Sequence, residues 1–125
     1  MKILIFEKKR KMKTEISWND FEKIDIRVGT ITTVNDFPEA RNPAYQLQIN
    51  FGSEIGIRKS SAQITKRYEK EELIGKQVIA VVNFPKKQIG KFMSECLVLG
   101  LVGDDTKDVV LLSPDFKVEN GMKMA

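Results

Sequence analysis

The sequence contains no histidine and a single cysteine, Cys96, among its 125 residues. Without histidine there is neither an imidazole general base nor an imidazole metal ligand. One thiol excludes an intramolecular disulfide and favours a reducing compartment. A lone cysteine in an apolar strand is far more often a packing residue than a nucleophile. We therefore expect a protein that is not an enzyme and that holds no cofactor and no metal.

Long apolar runs are also missing. No stretch approaches the roughly 18–20 apolar residues that a membrane span needs. The opening MKILIF is too short an apolar stretch for a signal peptide, and the charged EKKRK follows it directly. The sequence thus predicts a cytoplasmic protein without membrane insertion.

Positive charge is concentrated in the first 13 residues. They hold six of the 21 Lys and Arg residues but only one of the 17 Asp and Glu residues, which leaves residues 14–125 with a net charge of −1. We expect residues 1–13 to be a basic N-terminal extension, either a disordered nucleic-acid-binding arm or a segment foreign to the native protein. Residues 14–125 then form one domain, whose basic residues cluster between 54 and 91.

The first predicted strand, IDIRVGTITTV at 24–34, contains a break in its alternation. Alternate apolar residues from Ile24 to Val28 share one face, whereas Ile31 is out of phase with them. A slip at Gly29 is typical of a bulge that bends a long strand in a small barrel. A short helix capped by Ser17 or Asn19 is predicted just before this strand.

Strand patterns also dominate the rest of the sequence. The predicted strands are YQLQINFG at 45–52, EIGIRKSS at 54–61 with Gly56 inside it, QVIAVVNF at 77–84, and two strands within 95–103 and 108–113. A helix within 62–76, which ends at Gly75, is predicted between the third and fourth strands. This order predicts an all-β domain with a short helix or two, namely an OB-fold five-stranded β-barrel with N- and C-terminal extensions. Another small β-barrel is the alternative.

Several separated motifs resemble one known family. FEKIDIRVGTI, KSSAQIT, EELIGKQVIAVVNF and KKQIGKFMSECLVLG occur in the order found in the tRNA-binding domain. That domain is appended to methionyl- and phenylalanyl-tRNA synthetases and also occurs as free-standing dimeric proteins. Within the family, SSAQITKRY, VVNFPKK and SECLVLG most resemble the free-standing CsaA type.

The resemblance implies an OB-fold homodimer that binds the shape and backbone of tRNA rather than a sequence. Lysine and arginine would supply a salt-sensitive phosphate interaction, and polar side chains would contact ribose hydroxyls and bases. The family motif implies tRNA-binding residues at Asn83, Lys86, Lys87, Lys91 and Ser94, with weaker candidates at Arg27, Arg58, Lys59 and Ser61.

One departure from the synthetase-type domains keeps a second function open. Ser94 is followed here by Glu95 and Cys96 rather than by glycine and methionine, and Glu95 adds negative charge beside the expected phosphate contacts. This departure favours the CsaA branch, which implies an export-related chaperone that binds unfolded or presecretory polypeptides. A peptide groove would then be lined by Phe84, Ile89, Phe92 and Met93.

A dimer is also favoured by the strand at 77–84, which is apolar on both faces, while a barrel of this size covers only one. The C-terminal SPDFKVENGMKMA would cover an apolar patch, either on its own barrel or across a two-fold axis.

Overall fold

The computed structural model describes residues 11–125. Helix α1 spans Trp18–Glu22. It is followed by β1 (Ile26–Asp36), β2 (Tyr45–Asn50), β3 (Ile57–Ala62), helix α2 (Lys70–Leu73), β4 (Gln77–Val81), β5 (Lys87–Ile89), β6 (Phe92–Ser94), β7 (Leu97–Val98), β8 (Gly100–Val102) and β9 (Val109–Leu111). The predicted basic extension at 1–13 lies outside the described residues except for its last three.

Five strands form one antiparallel sheet in the order β3-β2-β1-β4-β7. The sheet curls until β3 approaches β7, so that it is nearly closed into a barrel. The strands β5 and β6 form a small hairpin between β4 and β7, and β8 and β9 form a second hairpin. The predicted OB-fold barrel with two short helices is confirmed.

The barrel interior is filled by the period-2 pattern of the strands. Leu47 and Ile49 on β2 and Phe51 just after it are fully buried, as the alternation in YQLQINFG predicts. Val78 and Ala80 on β4 meet them from across the barrel, and Val81 on the other face of β4 is also buried. The second face of β4 is covered only in part, because Gln77 and Ile79, on the same face as Val81, are half-buried.

The break in β1 lies at Thr32, three residues beyond the predicted position. The register against β2 shifts between Ile31 and Thr33, rather than at Gly29. Gly29 has a different role, because a Cβ atom there would lie 2.6 Å from Ile49 Cγ2 and 2.7 Å from Phe51 Cδ1. Glycine at this position lets β1 pack directly against the barrel interior.

Two other boundaries also differ from the prediction. The helix expected within 62–76 is limited to the four residues of α2, because Glu69 is extended (φ −84°, ψ 151°). Residues before it form a turn. Gly75 follows α2 with a φ of +88°, which terminates the helix as predicted. Gly56, with a φ of +81°, precedes β3 instead of lying inside it.

The C-terminal segment lies on its own barrel. Gly121 N–H donates to Val28 O at 2.7 Å, Val28 N–H donates to Met122 O at 3.0 Å, and Met124 N–H donates to Ile26 O at 2.9 Å. The segment thereby occupies the edge of β1 that β2 leaves free. Of the two alternatives derived from the sequence, coverage of the chain's own barrel is the one observed.

Within residues 11–125, no helix is long and apolar enough to cross a membrane.

Candidate nucleic-acid interface

The β5–β6 hairpin, which we call the lysine tip (residues 86–94), carries most of the predicted site. Lys87 on β5 pairs across the hairpin with Ser94 on β6. Gly90 adopts a φ of +60° at the turn, a conformation that glycine accommodates without steric cost. The Lys86, Lys87 and Lys91 side chains all lie in exposed positions around this turn. The structure thus leaves the three predicted lysines exposed on one hairpin, with Lys86 and Lys87 near its base and Lys91 at its turn.

The lysine tip is attached to the barrel through a seam between β3 and residues 94–96. Glu95 N–H donates to Lys59 O at 2.7 Å, and Lys59 N–H donates to Glu95 Oε1 at 3.0 Å. Ser61 N–H donates to Ser94 Oγ at 3.1 Å. Side-chain oxygens therefore take the place of backbone carbonyls that a regular strand pair would supply.

A third contact of this seam is buried. Ser60, which is 1% exposed, donates its hydroxyl to Cys96 O at 3.0 Å. The Cys96 thiol lies beside it, and burial raises the pKa of this thiol to about 12. Cys96 is therefore a protonated packing residue, in line with the expectation from the sequence.

Glu95 is an integral part of the seam rather than an exposed carboxylate. Its side chain is 17% exposed, and Oε2 lies 3.4 Å from Lys86 Nζ. Burial on its own would raise the pKa of Glu95, but the Lys59 N–H and the Lys86 ammonium outweigh burial, so that the pKa is lowered. Glu95 thus places a carboxylate beside Lys86, as expected from the sequence, and both of its oxygens face protein donors.

Asn83, which follows β4, contributes both ends of its amide to local structure. Its Nδ2 donates to Lys23 O at 2.7 Å, and its Oδ1 accepts the Asp25 N–H at 2.9 Å. These bonds fasten the link between α1 and β1 to the end of β4. The side chain remains exposed, so its second N–H and its second lone pair face solvent.

Two of the weaker candidates lie away from the lysine tip. The Arg27 side chain is 15% exposed and donates to Asp25 Oδ1 at 2.6 Å and to Gly121 O at 3.1 Å. The hydrogen bond to Asp25 raises the pKa of Arg27. Arg58 is half-buried and lies on the face of β3 opposite to Lys59. Arg27 is thus engaged by its own neighbours, and Arg58 faces away from the side of β3 that carries Lys59.

The four apolar residues of the predicted peptide groove differ in their contacts and exposure. The Phe92 ring packs on Phe37 with centroids 5.3 Å apart, and Lys59 Nζ lies 5.5 Å from the Phe92 centroid. Ile89 pairs with Phe92 across the hairpin, and Met93 is half-buried beside them. Phe84 is 53% exposed in the loop before the tip. Phe92 thus packs the tip against Phe37, and the peptide groove remains a prediction.

A polar face adjoins the lysine tip, and it contains two of the weaker candidates from the sequence, Lys59 and Ser61, together with residues to which the sequence analysis gave no role. Lys59 and Ser61 on β3 pair with Gln48 and Gln46 on β2, and the same glutamines pair with Thr33 and Asn35 on β1. All of these side chains alternate with core residues and therefore point outward. The outward amides of YQLQIN were the signal, since this is the strand face with which OB-folds commonly bind oligonucleotides.

The site offers no arrangement for a bound metal. Within residues 11–125, no group of three or more Cys, Asp or Glu side chains could hold an ion.

Comparison with known proteins agrees with the fold and the motifs. The family model of the tRNA binding domain matches residues 26–123. Methionine–tRNA ligases from Pyrococcus abyssi and Pyrococcus furiosus are 34% and 36% identical over 98% and 94% of this chain. The chain spans only 16% of the length of either ligase.

Two solved structures are similar over most of the chain. The chaperone CsaA from Bacillus anthracis is 51% identical, with a TM-score of 0.84 over 90% of this chain and 100% of that chain. The CsaA chaperone protein from Picrophilus torridus is 58% identical, with a TM-score of 0.83 over 89% of this chain and 100% of that chain. The resemblance predicted from the motifs is confirmed.

Proposed function

Because this chain belongs to the tRNA-binding domain family, we propose that it is a non-catalytic, cytoplasmic protein that binds tRNA through the lysine tip and the adjoining polar face. The observation that carries the proposal is the exposure of Lys86, Lys87 and Lys91 on one hairpin of a domain, residues 14–125, whose net charge is −1 with those lysines included. Such a cluster neutralises phosphates without reading a sequence.

The polar face would complement this phosphate contact. Amide and hydroxyl groups of Gln46, Gln48 and Ser61 can donate to and accept from ribose 2′-hydroxyls and exposed base edges. Ser94 and Asn83 already serve local structure, so we assign them to positioning the tip. Recognition would then depend on the shape of the folded RNA rather than on a base sequence.

The test is binding of bulk tRNA as a function of salt, for the wild type and for a Lys86→Ala/Lys87→Ala/Lys91→Ala variant. Each lysine that no longer neutralises a phosphate should reduce the slope of log K against log salt by up to about 0.9. The matched control removes the same charge elsewhere, with Lys76→Ala/Lys107→Ala/Lys117→Ala, and should keep the slope. Equal slopes for the two triple variants, or no binding by the wild type at low salt, would reject the proposal.

The second candidate function is a CsaA-type export-related chaperone that binds unfolded or presecretory polypeptides. It is supported by the two solved neighbours described as chaperones, which are more than half identical to this chain. Suppression of aggregation of a chemically unfolded client, retained in the Lys86→Ala/Lys87→Ala/Lys91→Ala variant, would support it.

We further propose that the protein is a C2 homodimer. Helix α1 has no buried residue, and Trp18 is 72% exposed with its ring 5.7 Å from that of Phe21. Together with Ile24 and Met124 these rings border a surface cavity of about 230 Å³, whose lining also includes Glu22 and Lys123. These exposed apolar side chains form a surface that a second copy would cover. Sedimentation as a monomer at micromolar concentration would refute the dimer, and a Trp18→Ser/Phe21→Ser variant should shift the equilibrium toward monomer.

A further inference from the structure

Phe84 is an aromatic side chain that the fold leaves unused. It lies in the segment between β4 and β5, where residues 83–88 are all exposed, and its own exposure is 53%. Unlike Phe92, which packs on Phe37, it stacks on no other aromatic ring within residues 11–125. The ring is therefore available to contact a ligand.

The backbone beneath this ring is held in place on both sides. Val82 N–H donates to Asp25 O at 2.9 Å, and the two hydrogen bonds of the Asn83 amide described above fasten the next residue to Lys23 and Asp25. Pro85 follows, and a proline restricts the backbone of the residue before it to extended conformations. The ring is thus presented from a segment that is ordered before a ligand arrives, which reduces the entropy lost on binding.

Positive charge adjoins the ring. Lys86 and Lys87 are exposed and follow it closely, so that the Cα atoms of Phe84 and Lys86 lie no more than about 7 Å apart. Lys91 is exposed at the turn of the same hairpin. A base stacked on Phe84 would hold its own phosphate within reach of these ammonium groups. Stacking of unpaired bases on aromatic side chains, next to cations that contact the backbone, is a common mode of RNA binding.

The surroundings of the ring do not suit an apolar partner. A lipid surface or an apolar polypeptide segment would need a contiguous apolar area, but the exposed residues on either side of Phe84 and Pro85 are one asparagine, two lysines and one glutamine. The polar face offers no second ring, because its side chains are those of threonine, asparagine, glutamine, lysine and serine. The surface therefore suits one stacked base beside a phosphate backbone, and not the row of stacked bases that single-strand-binding OB-folds hold.

We propose that Phe84 stacks on one unpaired base of the bound RNA, an inference that rests on the proposed tRNA-binding function. The lysine tip neutralises the phosphates next to that base, and Asn83 and Pro85 position the ring. The protein then prefers a folded RNA in which an unpaired base lies beside a helix over a fully paired duplex. Phe84 is thereby assigned to RNA, whereas the sequence analysis placed it in a peptide groove.

The first experiment measures binding of fluorescein-labelled bulk tRNA to the full chain by anisotropy. Loss of one base–aromatic stack should weaken binding by Phe84→Ala at least about fivefold. Phe84→Leu, which keeps an apolar side chain without a ring face, should lose most of the same affinity, whereas Phe84→Trp should bind like the wild type. Wild-type affinity in Phe84→Ala or in Phe84→Leu would overturn the proposal.

The matched control removes a phenylalanine of similar exposure at the other end of β4. Phe116 is 78% exposed and lies near the start of that strand, where Val118 N–H donates to Gln77 Oε1 at 3.0 Å. Phe116→Ala should bind tRNA like the wild type. A loss equal to that of Phe84→Ala would show that any exposed ring contributes, and it would overturn the assignment to Phe84.

The salt dependence separates the ring from the lysines. Stacking on a neutral ring releases no counterions, so the slope of log K against log salt should be the same for Phe84→Ala as for the wild type, in contrast to the triple lysine variant. A shallower slope for Phe84→Ala would show that the substitution displaces the lysines, and it would overturn the stacking contact.

A pair of synthetic ligands tests the unpaired base itself. The wild type should bind an RNA duplex with one bulged adenosine at least about fivefold more tightly than the same duplex without the bulge. This preference should disappear in Phe84→Ala, because the two changes remove the same contact. Equal affinity of the wild type for the two duplexes would overturn the proposal.

Other roles of the ring give separate outcomes. If Phe84→Ala sediments as a monomer while the wild type is a dimer, the ring belongs to the interface between copies and the proposal is overturned. Loss of client protection in Phe84→Ala, with unchanged tRNA binding, assigns the ring to polypeptides and likewise overturns it. If the wild type binds no tRNA at low salt, the proposed function fails. If it binds with a lysine-dependent slope and Phe84→Ala binds equally, the function stands and only the stacking contact is wrong.

Discussion

Two adjacent serines on β3 make the seam testable, because one contributes its hydroxyl and the other its backbone. Ser60 Oγ donates to Cys96 O from a position that is 1% exposed, whereas Ser61 contributes only its amide N–H to Ser94 Oγ. Ser60→Ala removes a donor from a buried carbonyl, which costs about 1–3 kcal/mol. Ser61→Ala removes no described hydrogen bond and should change the free energy of unfolding by less than about 0.5 kcal/mol.

The assay is thermal and urea unfolding of the wild type and both variants. For a domain of this size, a loss of about 2 kcal/mol lowers Tm by roughly 6–10 °C. If the polar face binds RNA, the order is reversed in a tRNA titration: Ser61→Ala should lose about two- to fivefold in affinity, as expected for one neutral hydrogen bond, and Ser60→Ala should lose none. Equal destabilisation by the two substitutions would refute the assignment of the seam contacts.

Three further predictions follow from single residues. The pKa of Glu95 in the folded protein lies below the ordinary value near 4.5, so ionised Glu95 stabilises the native state above that value, and this contribution is lost as the pH falls through the folded pKa. Urea unfolding at stepped pH should therefore show a steeper loss of stability for the wild type than for Glu95→Gln. Parallel curves would contradict the bonds to Lys59 and Lys86. Gly29→Ala should destabilise by about 1–3 kcal/mol through contacts with Ile49 and Phe51, and a Tm within 1 °C of the wild type would show that the barrel has room there. Cys96 should not react with Ellman's reagent at pH 8 until urea unfolds the chain, since burial raises the pKa of its thiol to about 12; rapid labelling of the native protein would show that the seam opens.

The succession of strands along the chain was predictable because alternating apolar residues mark each strand locally. The alternation of Tyr45, Leu47, Ile49 and Phe51 defines the face of β2 that enters the core, and Gly75 terminates α2. The position of the β1 break was not predictable, because Gly29 is fixed by its neighbours on β2 and beyond rather than by the conformation of its own backbone. In the sequence, a glycine that marks a bulge looks the same as a glycine that makes room for side chains of a neighbouring strand.

The candidate site was predicted in part for a similar reason. A family motif locates Lys86, Lys87 and Lys91, but it does not show which polar side chains form hydrogen bonds within the fold. Whether Glu95 repels phosphate or closes a seam depends on Lys59, which is 36 residues away along the chain. Arg27 likewise donates to Gly121 O, an acceptor that lies near it only because the C-terminal segment pairs with β1.

The pairing of residues 121–124 with β1 has a consequence for biosynthesis. The first long strand leaves the ribosome early, yet part of its edge has no partner until the last of these residues has been translated and released from the exit tunnel. At about 5–20 residues per second, the nascent chain spends several seconds with that edge open. An exposed strand edge is a site of unwanted pairing between chains. Nascent chains on neighbouring ribosomes are thus prone to aggregate until residues 121–124 have emerged, and truncation before residue 121 would make that exposure permanent.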